Sequence, residues 1–212
     1  MKEKKSLIYL ITDGTLDSQN YALKSLQTIA LIKIAVQAEI PIIQIREKNL
    51  PARLLFQLTS EIVKISKKSA TKILVNDRAD VALAAKADGV HLTSTSIPTK
   101  IIRQNFRQDF IIGVSTHTSE KALQAKQDGA NFAVFSPIFY TPNKGKPQGI
   151  EKLSEVVKTA KDFPIIALGG INEANFAETL RAGASGIAAI RLLNEAEKLT
   201  EIVKKINGEF DD

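Results

Sequence analysis

The stretch PIIQIREKNLPARLLFQLTSEIVKISKKSATKILVND, residues 41–77, contains two short apolar runs separated by a segment with helical spacing. The runs, 41–46 and 72–77, are rich in isoleucine, leucine and valine, a composition typical of buried strands. Between them, over 52–67, apolar residues recur every three or four positions, as they do on one face of a helix. This order of strand, helix and strand predicts a βαβ unit with parallel strands.

The same alternation continues on both sides of this unit. Together with 41–46 and 72–77, six further apolar runs give eight predicted strands; the six are 7–11, 89–92, 110–115, 132–136, 164–168 and 186–190. Helical spacing also marks 79–87, 119–128, 152–161, 173–182 and 194–206. Ser119 at the start of one such segment and Gly183 at the end of another have the chemistry of helix caps.

Eight βα units predict an α/β protein that is a single (β/α)8 TIM barrel, with residues 1–212 forming one domain. The alternative is a doubly wound open sheet. That fold usually has fewer strands and a GxGxxG turn after the first one, whereas the first turn here reads ITDGTLDS, residues 11–18. Strand count and turn chemistry therefore both favour the barrel.

Composition limits the classes of partner. The chain is 44% hydrophobic and carries a net charge of +6, so a globular protein with an anionic ligand is favoured. The basic residues are not gathered on a helix with interleaved aromatics, so nucleic acid is not expected. The absence of cysteine excludes disulfides and thiolate metal sites. No apolar run reaches the roughly 18 residues of a membrane span, so we expect a cytoplasmic protein; the sequence leaves open whether it is a homo-oligomer.

Polar residues follow the predicted strands at the end where barrel enzymes place their active sites. Gln44, Arg46 and Lys48 alternate along an extended segment and so point to one side. An arginine fork beside a lysine suits a diphosphate. The alternative is that Arg46 and Lys48 pair with Glu47 or other neighbours, but Gln44 within an apolar strand favours a ligand site, because a buried amide needs a partner.

Two further strand ends carry groups with two interpretations. Asn76 and Asp77 could bind phosphate and Mg²⁺, or Asp77 could cap the helix predicted from residue 79. In GVSTHT, Ser115 and His117 follow the fifth predicted strand, where His117 could exchange a proton with a ligand. His91 at the end of the fourth strand fits a role in the wall of the site or in the core at least as well as a catalytic one.

Glycines follow the seventh predicted strand. Gly169 and Gly170, together with Gly186 on the eighth strand, match the phosphate pocket that barrels form from their last two loops. Tight turns also use glycine, so the position rather than the residue type favours a ligand site. The long turn-rich segment 136–149, which contains Thr141, Asn143, Lys144 and Lys146, is expected to be a mobile loop.

Several motifs resemble those of one enzyme family. IIQIREK, LVNDRADVALAAKADGVHL, IGVSTHT, PIFYTPNK and PIIALGGIN occur in this order across nearly the whole chain and resemble thiamine phosphate synthases. The related thiazole tautomerases share many of them. The resemblance implies a TIM barrel that uses Mg²⁺ and joins a hydroxymethylpyrimidine diphosphate to a thiazole phosphate, releasing pyrophosphate.

The resemblance also implies site roles. Gln44 matches the residue that orients the pyrimidine, and Asp77 matches a magnesium ligand. The diphosphate ligands are matched by Arg46, Lys48, Asn76 and Lys144. Ser115 matches the family serine near both the diphosphate and the pyrimidine. The thiazole phosphate contacts are matched by Thr141, Gly170 and Ile190. Together with His117, the residues expected to take part in catalysis are Arg46, Lys48, Ser115 and Lys144.

Three positions depart from the family pattern. Ser96 stands where synthases usually carry a second magnesium-binding acid, and a neutral hydroxyl does not replace that charge. Asn143 stands where a phosphate-binding threonine is common, and Arg191 where a serine is expected. Arg191 could add a cation to the phosphate pocket or point outward and pair with a carboxylate.

These residues are compatible with three functions. The retained diphosphate ligands favour a synthase. The missing second acid and His117, which matches the histidine that moves a proton in the tautomerases, favour a tautomerase. A non-catalytic protein that binds thiamine precursors is the third alternative, because barrel folds tolerate loss of activity.

Overall fold

Eight parallel strands close into a barrel in the computed structural model, which describes residues 7–208. Each strand pairs with the next along the chain, and the eighth pairs with the first in the register Leu7 to Gly186. Helices follow the strands and cover the outer face of the barrel. The predicted (β/α)8 TIM barrel is confirmed.

The strands are β1 (Leu7–Ile11), β2 (Ile42–Ile45), β3 (Lys72–Asn76), β4 (Gly89–Leu92), β5 (Ile111–Thr116), β6 (Phe132–Phe135), β7 (Ile165–Leu168) and β8 (Gly186–Ala189). The helices are α1 (Tyr21–Gln37), α2 (Ala52–Ser66), α3 (Ala79–Ala84), α4 (Thr99–Asn105), α5 (Ser119–Gln127), α6 (Gly149–Ala160), α7 (Phe176–Arg181) and α8 (Leu199–Gly208), with a 3₁₀ turn at Arg191–Leu193. Within residues 7–208, no helix is both long and apolar enough to cross a bilayer.

All eight strands lie where apolar runs predict them, but the helices differ in detail. α1 and α4 lie outside the segments whose spacing predicts a helix, and α1 carries apolar residues on all its faces. α5 is capped by Thr118, whose side chain accepts a hydrogen bond from the backbone N–H of Lys121, so the predicted cap at Ser119 is one residue late. Gly183 follows α7 with φ of +96°, as a glycine after a helix C-terminus should.

The barrel interior is filled by a cluster of inward side chains, here called the interior layer, to which β1 and β6 each contribute two residues. It consists of Tyr9, Ile11, Ile42, Leu74, Phe132, Val134, Ile166 and Ala188. A larger apolar cluster lies between the strands and the helices. Because side chains alternate along a strand, residues two positions beyond this interior layer also point inward, at the carboxyl end of the barrel.

Gly186 lies at the other end of the barrel from the expected phosphate pocket. It is the first residue of β8, and a Cβ atom there would overlap the carbonyl oxygen of Leu7 on β1. The prediction that Gly186 belongs to the phosphate pocket is therefore wrong. The glycine is required because the backbones of β1 and β8 approach closely where the barrel closes.

Candidate active site

A cavity of about 320 Å³ opens at the carboxyl end of the barrel. Six of its wall residues lie at or two positions beyond the interior layer: Ile11, Gln44, Asn76, Ser136, Leu168 and Ile190. The remaining wall residues are Arg46, Lys48, His91, Thr93, Ser94, Thr95, Ser115, His117, Pro137, Thr141, Lys144 and Gly169. The alternation of the strands thus brings most of the predicted site residues into one cavity.

Two smaller cavities extend this space in opposite directions. One, of about 220 Å³, shares Lys48 and Asn76 with the central cavity and adds Asp77. The other, of about 150 Å³, shares Thr141 and Gly169 with it, and its further wall residues include Gly170 and Arg191. The site is therefore elongated, with Asp77 at one end and the glycine turn at the other.

Three cations face the central cavity without carboxylate partners. Among the described residues, no ion pair joins Arg46, Lys48 or Lys144 to an acid. Burial, together with the charges of Arg46 and Lys144, lowers the pKa of Lys48. Three cations that repel one another at a cavity wall are suited to a multivalent anion.

Glu47 does not pair with its cationic neighbours, which removes that alternative. Its buried carboxylate accepts hydrogen bonds from the backbone N–H groups of Gly14, at 3.3 Å, and Leu16, at 3.0 Å. Burial raises the pKa of Glu47. The residue therefore fixes the loop between β1 and α1, a role that the sequence analysis did not identify.

This loop also supports Arg46. The backbone N–H of Arg46 donates to Thr12 Oγ1 at 2.8 Å. Gly14 has φ of +79°, and a Cβ atom there would lie 2.9 Å from Arg46 Nη1. Glycine thus leaves room for the guanidinium group beside the loop.

Gln44 has one satisfied and one unsatisfied end. Its Nε2 donates to Asn76 Oδ1 at 2.8 Å, whereas Oε1 is buried without a hydrogen-bond partner. Gln44 is 1% exposed, so an unpaired amide oxygen is costly unless a ligand satisfies it. The cavity wall thus presents a fixed acceptor for a ligand N–H group.

Asp77 is not a helix cap, although the sequence left that alternative open. It has φ of +62°, its backbone N–H donates to the carbonyl oxygen of His91 at 2.8 Å, and the residue before α3 is Arg78, which makes no side-chain cap. The Asp77 side chain is exposed at the cavity of about 220 Å³. Its position leaves the carboxylate available to a ligand.

Ser96 uses its hydroxyl within its own turn. Ser96 Oγ accepts a hydrogen bond from the backbone N–H of Thr93 at 2.6 Å and lies 3.1 Å from Thr93 Oγ1. In the described part of the chain, no group of three or more His, Cys, Asp or Glu side chains is arranged to hold a metal ion. A metal ion at this site would therefore depend on Asp77, a ligand and water.

His91 and Ser115 are hydrogen-bonded to each other in the cavity wall. His91 Nε2 lies 2.9 Å from Ser115 Oγ, and His91 Nδ1 lies 3.2 Å from the hydroxyl of the fully buried Tyr9. Burial, with a smaller contribution from the charge of Arg46, lowers the pKa of His91 to about 3, and burial raises the pKa of Tyr9. The sequence leaves both a wall or core role and a catalytic role open for His91 and does not single out Tyr9, although a tyrosine in a buried strand needs a hydrogen-bond partner.

His117 is exposed at the cavity mouth. Its Nδ1 lies 2.7 Å from the carbonyl oxygen of Ser136. Because a carbonyl only accepts, Nδ1 carries the proton, and in the neutral ring Nε2 is left as the basic nitrogen.

The segment 136–149 is fixed at both ends by backbone hydrogen bonds. Ile138 and Phe139 donate to the carbonyl oxygens of Leu168 and Gly169, and Gly149 donates to that of Ile138. Exposed residues are confined to the tip, 142–147, and to Tyr140. Mobility of this loop stays a prediction, and it can concern only the tip.

Close packing of this segment explains the paired glycines. Gly169 has φ of +106°, and a Cβ atom there would lie 2.7 Å from Pro137 Cα. Gly170 has φ of +67°, and its Cβ atom would lie 2.6 Å from the carbonyl oxygen of Tyr140. Both glycines thus have a packing role in addition to lining the cavities.

One of the expected contacts stands apart from the cavities. Asn143 lies at the exposed loop tip with φ of +59° and lines none of the three cavities described above. Arg191, the first residue of the 3₁₀ turn, is exposed at the cavity beside Gly170. Apart from Gly186, every other residue expected in the site lines one of the three cavities.

Comparisons with known proteins agree on one family. The family model described as thiamine monophosphate synthase matches residues 8–193. A putative thiamine-phosphate synthase of Geobacter sulfurreducens is 39% identical over 186 residues, which are 86% of this chain and 84% of the relative. The thiamine-phosphate synthase of Methanocella arvoryzae is 36% identical over 95% of this chain and 93% of its own. The solved thiamine phosphate pyrophosphorylase from Pyrococcus furiosus has a TM-score of 0.77 at 28% identity and covers 96% of this chain and 98% of its own. The chain therefore belongs to the thiamine monophosphate synthase family.

Proposed function

We propose that the protein couples a hydroxymethylpyrimidine diphosphate to a thiazole phosphate within the three joined cavities, giving thiamine phosphate and pyrophosphate. Family membership makes the chain a transferase of the thiamine-phosphate synthase type, acting on small pyrimidine and thiazole phosphates. The observation that carries the proposal is a set of three cations, Arg46, Lys48 and Lys144, that pair with no acid of the described residues and lie at one side of a cavity whose other side is a glycine turn.

The cations suit the departing diphosphate. In coupling, the bond from the pyrimidine methylene carbon to the diphosphate oxygen breaks, and the diphosphate leaves with the electron pair. Arg46 offers a fork of N–H donors, and Lys48 and Lys144 add compact charges. Fixed cations stabilise the negative charge that grows on the leaving group, and this lowers the barrier to bond breaking.

Gln44 suits the pyrimidine. Its unpaired Oε1 is an acceptor for a ring amino group, and the hydrogen bond to Asn76 holds the amide in that orientation. A buried acceptor in a fixed position favours a ligand that supplies the missing N–H, because other ligands would leave it unpaired. The orientation of the ring then sets the direction in which its methylene carbon faces.

The far side of the cavity suits the thiazole phosphate. Thr141, Gly169 and Gly170 line the small cavity there, and Arg191 adds a positive charge. A thiazole whose phosphate is held at this end presents its ring nitrogen towards the methylene carbon, and the new C–N bond forms as that nitrogen donates its electron pair. Holding both reactants in line supplies much of the rate enhancement.

Magnesium fits this site as an ion shared with the diphosphate. Mg²⁺ often binds through one or two carboxylates and substrate phosphates while keeping several waters, and Asp77 is the exposed carboxylate beside Lys48 and Asn76. When bound, the ion would neutralise charge on the leaving group. With Ser96 occupied in its own turn, Asp77 would be the one exposed carboxylate in this role among the described residues that line this cavity.

The substitution Asp77→Asn tests the magnesium role. We expect the magnesium concentration for half-maximal coupling to rise by about tenfold or more, because a full negative charge is removed from the ligand. Asp80→Asn is the matched control, since Asp80 is exposed and pairs with Arg78 instead. An unchanged magnesium requirement in the Asp77 variant would remove Asp77 from the metal site.

Isomerisation of a thiazole carboxylate phosphate is a second candidate activity of the same cavity. It is favoured by His117, whose Nε2 is left as the basic nitrogen at the cavity mouth by the hydrogen bond from Nδ1 to Ser136. A base in this position could move a proton within a bound thiazole.

The substitution His117→Ala separates the two activities. On the proposed assignment, coupling is retained, and any isomerase activity falls by about 10²- to 10⁴-fold, the usual contribution of a positioned acid or base. Both reactions are assayed in one preparation of the wild-type protein and of the variant. Isomerisation without coupling in the wild type would make the tautomerase the correct function, and loss of coupling in the variant would place His117 in the synthase site.

A further inference from the structure

Three side chains form a continuous hydrogen-bonded line from the barrel interior to the cavity, here called the relay and consisting of Tyr9, His91 and Ser115. The Tyr9 hydroxyl lies 3.2 Å from His91 Nδ1, and His91 Nε2 lies 2.9 Å from Ser115 Oγ. Tyr9 and His91 are 0% and 3% exposed, whereas Ser115 is half-buried in the cavity wall. The relay thus has one end closed and the other end open to a ligand.

The buried Tyr9 end of the relay determines which atom donates in each hydrogen bond. In the described part of the chain, His91 Nδ1 is the hydrogen-bond partner of the Tyr9 hydroxyl, which has no other. If Nδ1 donated to the tyrosine oxygen, the Tyr9 hydroxyl proton would be buried without an acceptor, which native interiors avoid. Tyr9 must therefore donate to Nδ1, and the proton of the neutral imidazole is on Nε2.

The position of the proton on His91 also determines the direction of its hydrogen bond to Ser115. Nε2–H donates to Ser115 Oγ, so the serine hydroxyl proton is free to point into the cavity. We propose that Tyr9 and His91 are positioning residues that hold the Ser115 hydroxyl as a hydrogen-bond donor towards the pyrimidine diphosphate, an inference that rests on the function proposed above. Ser115 then offers its proton to an acceptor atom of the ligand.

The surrounding barrel is built to hold this arrangement. The Tyr9 ring meets Phe132 edge to face at 5.6 Å between ring centres. Gly113 on β5 has no side chain, and a Cβ atom there would lie 2.9 Å from His91 Nδ1 and 2.5 Å from Phe132 Cζ. The rings are thus held by packing, and phenylalanine at position 9 would keep this packing while removing only the hydroxyl.

The histidine tautomer tests the direction without any assay of activity. The chain has two histidines, so the spectrum of ¹⁵N-histidine-labelled protein is assigned by comparison with His117→Ala. We expect His91 to carry its proton on Nε2 in the unliganded wild-type protein. A proton on Nδ1 would overturn the proposal, because Ser115 would then have to donate to His91.

Kinetics test whether the relay acts through Ser115. Tyr9→Phe should lower kcat for coupling by about tenfold, the equivalent of one hydrogen bond, and leave KM for the thiazole phosphate unchanged. In a Ser115→Ala background the same substitution should have no further effect. Tyr21→Phe, outside the cavity walls, is the control.

An equal loss of kcat from Tyr9→Phe in both backgrounds would mean a merely structural role and would overturn the proposal. Absence of coupling by the wild-type protein would instead contradict the proposed function. The tautomer of His91 would still decide the direction of the relay, so the two failures can be told apart.

Discussion

Replacing Arg46 with alanine is expected to lower kcat/KM for coupling by about 10²- to 10³-fold, the usual cost of removing a fixed donor to the charge that develops in a transition state. Arg46 lies in the cavity wall with its backbone N–H bound to Thr12, and within residues 7–208 it has no carboxylate partner. Its guanidinium is therefore free to bind the diphosphate. Steady-state kinetics with each substrate varied in turn measure the effect.

Two further variants sharpen this test. Arg46→Lys keeps the positive charge but loses the paired N–H donors of the guanidinium group. Its activity should therefore lie between those of Arg46→Ala and the wild type. Arg53→Ala removes an exposed arginine of α2 that lines none of the three cavities and should leave the kinetics unchanged. Normal coupling by Arg46→Ala would show that the diphosphate binds elsewhere.

Gly186→Ala is expected to lower the free energy of unfolding by more than about 4 kcal/mol, a loss usually seen only with severe steric or burial defects. The new Cβ atom would overlap the Leu7 carbonyl on β1, where the barrel closes, and backbone atoms of a neighbouring strand cannot move aside as a flexible side chain can. Urea unfolding followed by circular dichroism measures the change.

Matched glycine variants control for the loss of glycine itself. Gly145→Ala, where an added Cβ atom would have no described atom within 4 Å apart from those of the adjacent residues, should change the stability by less than about 0.5 kcal/mol. Gly89→Ala should resemble Gly186→Ala, because its Cβ atom would overlap the Ile111 carbonyl on β5. A Gly186→Ala protein as stable as the wild type would contradict the close approach of β1 and β8.

The strands could be predicted from the sequence because they are short, apolar and bounded by polar turns, as in residues 41–46 and 72–77. α1 could not be predicted in the same way. Its apolar residues lie on all faces, so no stripe of helical periodicity appears in the sequence. Gly186 was misplaced for a different reason: the predicted strand 186–190 already begins at this glycine, so its residue type was given more weight than its position at the end of the strand opposite the last loop.

Much of the candidate site could be predicted because successive side chains of a strand point strictly to opposite faces. Gln44 and Arg46 point the same way once β2 is known, and the resemblance supplied chemistry for each. The relay and the role of Glu47 could not be predicted. His91 and Ser115 lie on the neighbouring strands β4 and β5, but Tyr9 lies on β1, and only the closed barrel brings it across the interior to within hydrogen-bond distance of His91.

The most direct measurement of the central claim is coupling by the purified protein, supplied with hydroxymethylpyrimidine diphosphate, thiazole phosphate and Mg²⁺. Thiamine phosphate and pyrophosphate are quantified together over time, and a parallel reaction contains a chelator. The account predicts one pyrophosphate for each thiamine phosphate and loss of both products in the chelated reaction. No thiamine phosphate, or pyrophosphate released without it, would contradict the account.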